Sequence, residues 1–184
     1  TNTYDSVARL AGTFLKNSSQ ATLNSHAYLL NAGNQRYQQT FIGTNYVDYA
    51  YDNIGQLVAA LGKDFGGGNR FHEQAQYQYD AAGNLLVRTN YQLVQAFAAN
   101  ALNQLSNVTS SGTLTVAGFT TTNASVTVNG GTASVYPDLT FSRSSMSLTN
   151  TVYTAVATDA AGRSDTHSIQ VNLPATVGFQ YDQN

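Results

Sequence analysis

One pattern constrains this chain more than any other. Tyr51-Asp52-Asn53-Ile54-Gly55-Gln56-Leu57 is echoed by Tyr79-Asp80-Ala81-Ala82-Gly83-Asn84-Leu85, both reading Tyr-Asp-x-x-Gly-x-Leu. Weaker copies surround them. Tyr4-Asp5-Ser6-Val7-Ala8-Arg9-Leu10 lacks the Gly, while Leu30-Asn31-Ala32-Gly33-Asn34-Gln35-Arg36 and Ala99-Asn100-Ala101-Leu102-Asn103-Gln104-Leu105 carry Asn at both turn positions. Tyr181-Asp182-Gln183-Asn184 begins a further copy. A repeat on this scale is a supersecondary unit that needs its neighbours to complete its pairing.

The chemistry of the motif is that of a hairpin. Asp or Asn at the first turn position accepts a hydrogen bond from the backbone two residues on. Gly or Asn three positions later tolerates a positive φ, as a type I turn followed by a left-handed bulge residue requires. Tyr51, Asp52 and Gly55, and likewise Tyr79, Asp80 and Gly83, are therefore expected to be structural turn residues. Each repeat reads as strand–turn–strand, and repeats are expected to pair edge to edge.

The Asp/Asn positions 5, 31, 52, 80, 100 and 182 lie 26, 21, 28, 20 and 82 residues apart. The last interval marks an insertion. The expected organisation is a hairpin array over residues 1–106, an inserted module over 107–175 and the start of a further repeat over 176–184. The insert reads as about seven short strands: Leu114–Val116, Ser125–Val128, Thr132–Val135, Leu139–Phe141, Met146–Leu148, Tyr153–Thr158 and His167–Leu173. An Asn129-Gly130-Gly131 turn and an Asp159-Ala160-Ala161-Gly162 turn separate some of them. That density of strands and turns suggests a small Ig-like sandwich, with one strand missing or very short.

Composition agrees with an all-β fold of antiparallel sheets. Charged residues are only 10% of the chain, with one Glu (Glu73) and two Lys (Lys16, Lys63) to dress helix surfaces. Thr, Val, Tyr and Phe are common instead and suit a pleated, half-buried surface. A net charge of −2 leaves no basic stripe, which argues against nucleic acid as a partner. No segment is apolar for long enough to be a membrane-spanning helix. The absence of cysteine excludes disulfides, thiol catalysis and thiolate metal sites.

The two full motifs and their degenerate copies resemble the Rhs/YD-repeat family of large bacterial surface and secreted proteins. The insert is similar to bacterial Ig-like domains through Ala124-Ser125-Val126-Thr127-Val128-Asn129-Gly130 and Thr154-Ala155-Val156-Ala157-Thr158-Asp159-Ala160-Ala161-Gly162. The first resemblance implies long curling β-sheets, a secreted or cell-surface bacterial location, a structural shell or adhesive role, and no catalytic residues in the repeats. The number of repeats is too small to close a shell, so the chain is expected to be a piece of a longer protein whose neighbouring repeats are its partners.

No nucleophile elbow, zinc-protease helix, P-loop or dinucleotide fingerprint is present. Gly66-Gly67-Gly68 reads as a hairpin tip rather than an anion cradle. Glu73 beside His72 is the one candidate acid–base pair, against the plainer reading of a polar stretch between strands. His26, His72 and His167 are too dispersed in sequence to promise a transition-metal site, and no Asp-x-Asp-x-Asp loop offers calcium ligands. The expectation is no metal and no cofactor.

Three readings of function follow. The first is a non-enzymatic structural segment. The second is a carbohydrate-binding module in which Tyr46, Tyr49 and Tyr77, rimmed by Asn and Gln, stack on sugar rings from one exposed sheet face. Here the plainer alternative is that these tyrosines pack within the sheet. The third is a hydrolase in which His72 and Glu73 converge with an Asp in one pocket.

Overall fold

The computed structural model describes residues 1–148 and 151–182, in which all regular structure is β-strand. The chain divides into two compact units, residues 1–74 and 75–184. The first contains β1 (Asn2–Tyr4), β2 (Leu10–Lys16), β3 (Thr22–Leu30), β4 (Arg36–Phe41), β5 (Tyr46–Tyr51), β6 (Leu57–Lys63) and the first part of β7 (Asn69–Tyr79). These strands form one sheet in sequence order, with antiparallel neighbours.

One turn geometry recurs through this unit. The amide of residue i donates to the carbonyl of i+4, and the amide of i+3 donates back to the carbonyl of i. The pairs are Asp5/Arg9, Asn17/Ala21, Asn31/Gln35, Phe41/Asn45, Asp52/Gln56 and Asp64/Gly68. Residue i+3 takes a positive φ each time, from 62° at Asn34 to 89° at Gly55. At Asp5, Asn17 and Asp52 the side-chain Oδ1 also accepts from the amides of i+2 and i+4, which holds the turn from within. The motif's remaining letters are then explained. Tyr4 faces Leu10 and Tyr51 faces Leu57 across the ladder, directly outside the turn, with a bulge beside them.

The second unit continues with the rest of β7, β8 (Leu85–Asn90), β9 (Leu93–Ala99) and β10 (Leu105–Gly112). Asp80 and Asn100 head turns of the same geometry, with Gly83 and Asn103 at φ of 84° and 58°. Tyr79 again faces Leu85. Then come β11 (Leu114–Phe119), β12 (Ala124–Val128), β13 (Gly131–Thr132), β14 (Ser134–Val135), β15 (Thr140–Met146), β16 (Thr151–Asp159) and β17 (Ser164–Val171). Finally β18 (Thr176–Gly178) returns to pair antiparallel with β10, so the repeat sheet resumes after the insert.

Several boundaries differ from the sequence reading. β10 stays paired with β9 as far as Gly112, so residues 107–112 are repeat-sheet residues and the inserted strands begin at Leu114. Residues 140–146 form one strand rather than the tails of two, because they pair with β11 from Phe119 back to Leu114. β17 begins at Ser164 because the Asp159 turn closes on Arg163. Of the further repeat expected over 176–184, Gln183 and Asn184 lie outside the described residues, as do Thr149 and Asn150 of the insert.

The insert is two facing sheets, ordered β11-β15-β14 and β13-β12-β16-β17. Val126, Val128, Ala133, Phe141, Met146 and Tyr153 form its buried core, with Leu114, Val116, Ala155, Ala157 and Val171 packed against it. The first unit is built differently. Among its described residues the fully buried side chains are Asn45 and Arg70, and its apolar side chains are part-buried or exposed. Edge-to-edge pairing satisfies the backbone of these hairpins but covers their faces only in part.

Candidate functional site

The tyrosines proposed as a sugar platform do not line up as one row. Tyr46 and Tyr49 sit three residues apart on β5, where pairing with β6 runs without a break from Tyr46 to Ala50. Side chains alternate along a strand, so the two project from opposite faces. Both are half-buried, as is Tyr77 on β7 in the second unit.

Tyr49 belongs to a packed polar–aromatic cluster on the first unit's sheet. Its hydroxyl donates to Gln39 Oε1 at 3.3 Å, and Arg36 Nη1 donates to the same oxygen at 2.9 Å. Gln39 Nε2 lies 3.0 Å from His26 Nδ1. The Arg36 guanidinium stands 3.9 Å over the Tyr28 ring, and His26 meets Phe41 edge-on at 5.3 Å. Burial raises the Tyr49 phenol pKa above its ordinary value, against the opposing pull of the Arg36 charge. Tyr51 donates from its hydroxyl to the Arg36 carbonyl at 2.9 Å, tying one motif's Tyr to the strand that follows the preceding turn. The groups that could meet a ligand here are largely engaged with one another.

His72 and Glu73 do approach each other, with His72 Nε2 3.2 Å from Glu73 Oε1. The centre of their cluster is Arg70, whose side chain is 1% exposed. Arg70 Nε and Nη2 donate to the two Glu73 oxygens at 3.0 and 3.1 Å, and Nη1 donates to Asp64 Oδ1 at 3.0 Å. Gln74 Nε2 donates to the Gly62 carbonyl at 2.6 Å, closing the β6–β7 hairpin. Burial, the largest single influence, acts to raise the Glu73 pKa. The hydrogen bonds and charges of His72 and Arg70 outweigh it and hold the carboxyl below its ordinary range. An ionised Glu73 forked onto Arg70 is a poor proton donor at neutral pH, and Asp64 joins the pair through the arginine. This arrangement locks a hairpin. Sequence reading singled out the acid and the imidazole but missed Arg70, because its partners are set by the Asp64 turn and not by local spacing.

Among the described residues no three His, Asp or Glu side chains converge as metal ligands. A cleft of about 600 Å³ lies in the insert, lined on one side by β11 and on the other by β16 and β17, with Val126, Phe141 and Tyr153 also lining it.

No protein-family model matches the chain, and no curated protein matches it. Solved structures that match the chain include two at low identity. One is described as the crystal structure of TcdB2-TccC3-Cdc42, with a TM-score of 0.53 and 14% identity over 96% of this chain. The other is a Photorhabdus luminescens Tc holotoxin pore carrying the TccC3-D651A mutation, with a TM-score of 0.44 and 12% identity over 92% of this chain. The chain spans only 8% and 9% of the two matched chains. At these identities the first likeness is one of fold, an all-β chain of antiparallel strands that resembles part of a much longer polypeptide.

Proposed function

We propose that this chain is a non-enzymatic structural segment of a bacterial Rhs/YD-repeat protein, secreted or displayed at the cell surface. The observation that carries the reading is the repeated turn. Asp52 and Asp80 each accept from the amides of i+2 and i+4, Gly55 and Gly83 follow with positive φ, and the motif Tyr faces the motif Leu. Every letter of the motif serves the sheet, and none is left over for chemistry. The fold likeness to part of the TcdB2-TccC3-Cdc42 structure supports the same reading.

The insert reads as an Ig-like module. Its sheet orders β11-β15-β14 and β13-β12-β16-β17 correspond to strands B-E-D and C′-C-F-G of such a sandwich, with strand A missing. Tyr153, near the start of the F-like strand, donates its hydroxyl to the carbonyl of Ser147 upstream, in the manner of a tyrosine corner.

The test is a polysaccharide-binding screen on the whole chain beside sedimentation velocity. The structural reading expects no saturable glycan binding and concentration-dependent association through sheet edges. Proline at Gly178, whose amide faces the open edge of β18, should reduce that association. Saturable binding to one glycan class, lost in a Tyr49→Ala/Tyr77→Ala variant, would overturn it in favour of a carbohydrate-binding module.

A further inference from the structure

The insert is an incomplete sandwich. One sheet has four strands and the facing sheet has three, and β11 and β17 stand at the ends of their sheets with a neighbour on one side only. β17 shows the consequence. Asp165, His167 and Ile169 alternate along it and line the cleft, yet Ile169 is 53% exposed. His167 between them is exposed as well. A strand face that ordinarily packs on an opposing sheet here borders an open cleft of about 600 Å³.

The geometry points to an extended peptide strand as the occupant: we propose that the cleft binds a segment of another polypeptide by strand addition to the open edge of β11. The edge itself dictates this chemistry. Unpaired backbone amides and carbonyls along one side of β11 are met by another strand, and an added strand there would lie over β17. β11 ends and β17 begins at the same end of the module, since Ala124, which follows β11, pairs with Asp159, which precedes β17. A strand antiparallel to β11 therefore enters at that end and runs parallel to β17.

Side-chain preferences follow from the walls. Val116, Ala157 and Ile169 favour apolar residues at alternate positions of the guest, with polar residues between them facing solvent. The entrance carries Asp159, Arg163 and Asp165. Arg163 is committed to Asp159 at 2.7 Å, and among the described residues Asp165 accepts from the neighbouring Thr166 amide and joins no ion pair, so a net negative charge remains at the mouth. The guest should therefore carry a lysine or arginine near its N-terminus. The inference stands on sheet order and cleft lining and does not depend on the shell reading of the repeats.

The experiment uses the whole chain and a blocked peptide slightly longer than β11, with lysine first, valine at alternate positions and threonine between. Saturable binding by calorimetry is expected, weakened about tenfold or more by Ile169→Lys and by His167→Lys. Both sites are exposed enough to accept lysine, and near-ultraviolet circular dichroism checks that each variant keeps its fold. Asp165→Asn should reduce the advantage of the lysine peptide over its alanine analogue by about threefold. A peptide N-methylated at alternate backbone amides should not bind. Failure of the folded chain to bind, binding indifferent to both lysine variants, or equal binding of the N-methylated peptide would each overturn the proposal. So would a dimer of the chain that Ile169→Lys dissolves, because the occupant would then be a second copy.

Discussion

The hydroxyl of Tyr181 donates to the carbonyl of Leu105 at 2.9 Å across 76 residues of sequence. Tyr51 makes the same bond to Arg36, and both acceptors are the first residue after a motif turn. Tyr181 thus occupies the place of a motif Tyr, and the array resumes in register beyond the insert. Removing the hydroxyl with Tyr181→Phe should loosen β18 locally. Hydrogen exchange at the Val177 and Phe179 amides is expected to quicken, with the insert unaffected. Tyr51→Phe, in a half-buried setting, should cost about 1 kcal/mol in urea unfolding.

Gly62 lies beneath Glu73. A Cβ added there would stand 2.4 Å from both the Cβ and Oε2 of Glu73. Gly62→Ala should force the β6–β7 hairpin apart and destabilise the first unit by about 1–3 kcal/mol. Gly66→Ala in the adjoining turn meets nothing within 4 Å and should be close to neutral. Parallel urea titrations of the two variants make the comparison.

Arg70 neutralises two carboxylates from within the sheet. Arg70→Ala leaves Asp64 and Glu73 facing each other without their shared cation, at a cost of about 3 kcal/mol or more. Arg70→Lys should recover only part of this, because an ammonium cannot reproduce the forked contact with Glu73. Chemical denaturation read by tyrosine fluorescence checks both.

The turn aspartates make the fold acid-sensitive. The Arg9 backbone amide and guanidinium lower the Asp5 pKa, the Asn84 amide side chain and backbone lower that of Asp80, and the Arg163 guanidinium and backbone lower that of Asp159. A carboxyl held below its unfolded pKa contributes stability that is present above the ordinary aspartate range and lost as pH falls through the folded value. Melting temperature should therefore be flat from neutral pH to about 5 and then drop. Asp80→Asn should keep its turn, as Asn31 and Asn100 do at equivalent places, while flattening that acid limb. Asp80→Ala should weaken the turn at every pH. Melting curves from pH 3 to 7 separate the outcomes.

The all-β fold and the motif turns were legible because Asp, Asn and Gly each advertise a backbone state. The same turn at Phe41–Asn45 was not, since Phe41 has no side-chain acceptor and Thr44 takes its φ of 63° with no glycine to announce it. The opposite facing of Tyr46 and Tyr49 could have been read from an odd spacing on a strand. The cluster of Arg36, Gln39, His26 and Tyr49 could not, because register between strands decides it. Met146 and Phe141 looked like members of two strands until β11 supplied a partner for the residues between them.

The scarcity of buried apolar side chains in the first unit bears on its response to temperature. Unfolding it would newly hydrate less hydrocarbon per residue than unfolding a fully packed sandwich, so its heat-capacity increment per residue should fall below the usual figure of about 12–15 cal/mol/K. Its stability curve would then be shallow, with a broad melt and little tendency to denature in the cold. The insert, with its packed interior around Val128 and Tyr153, should show the ordinary curved dependence within the same polypeptide.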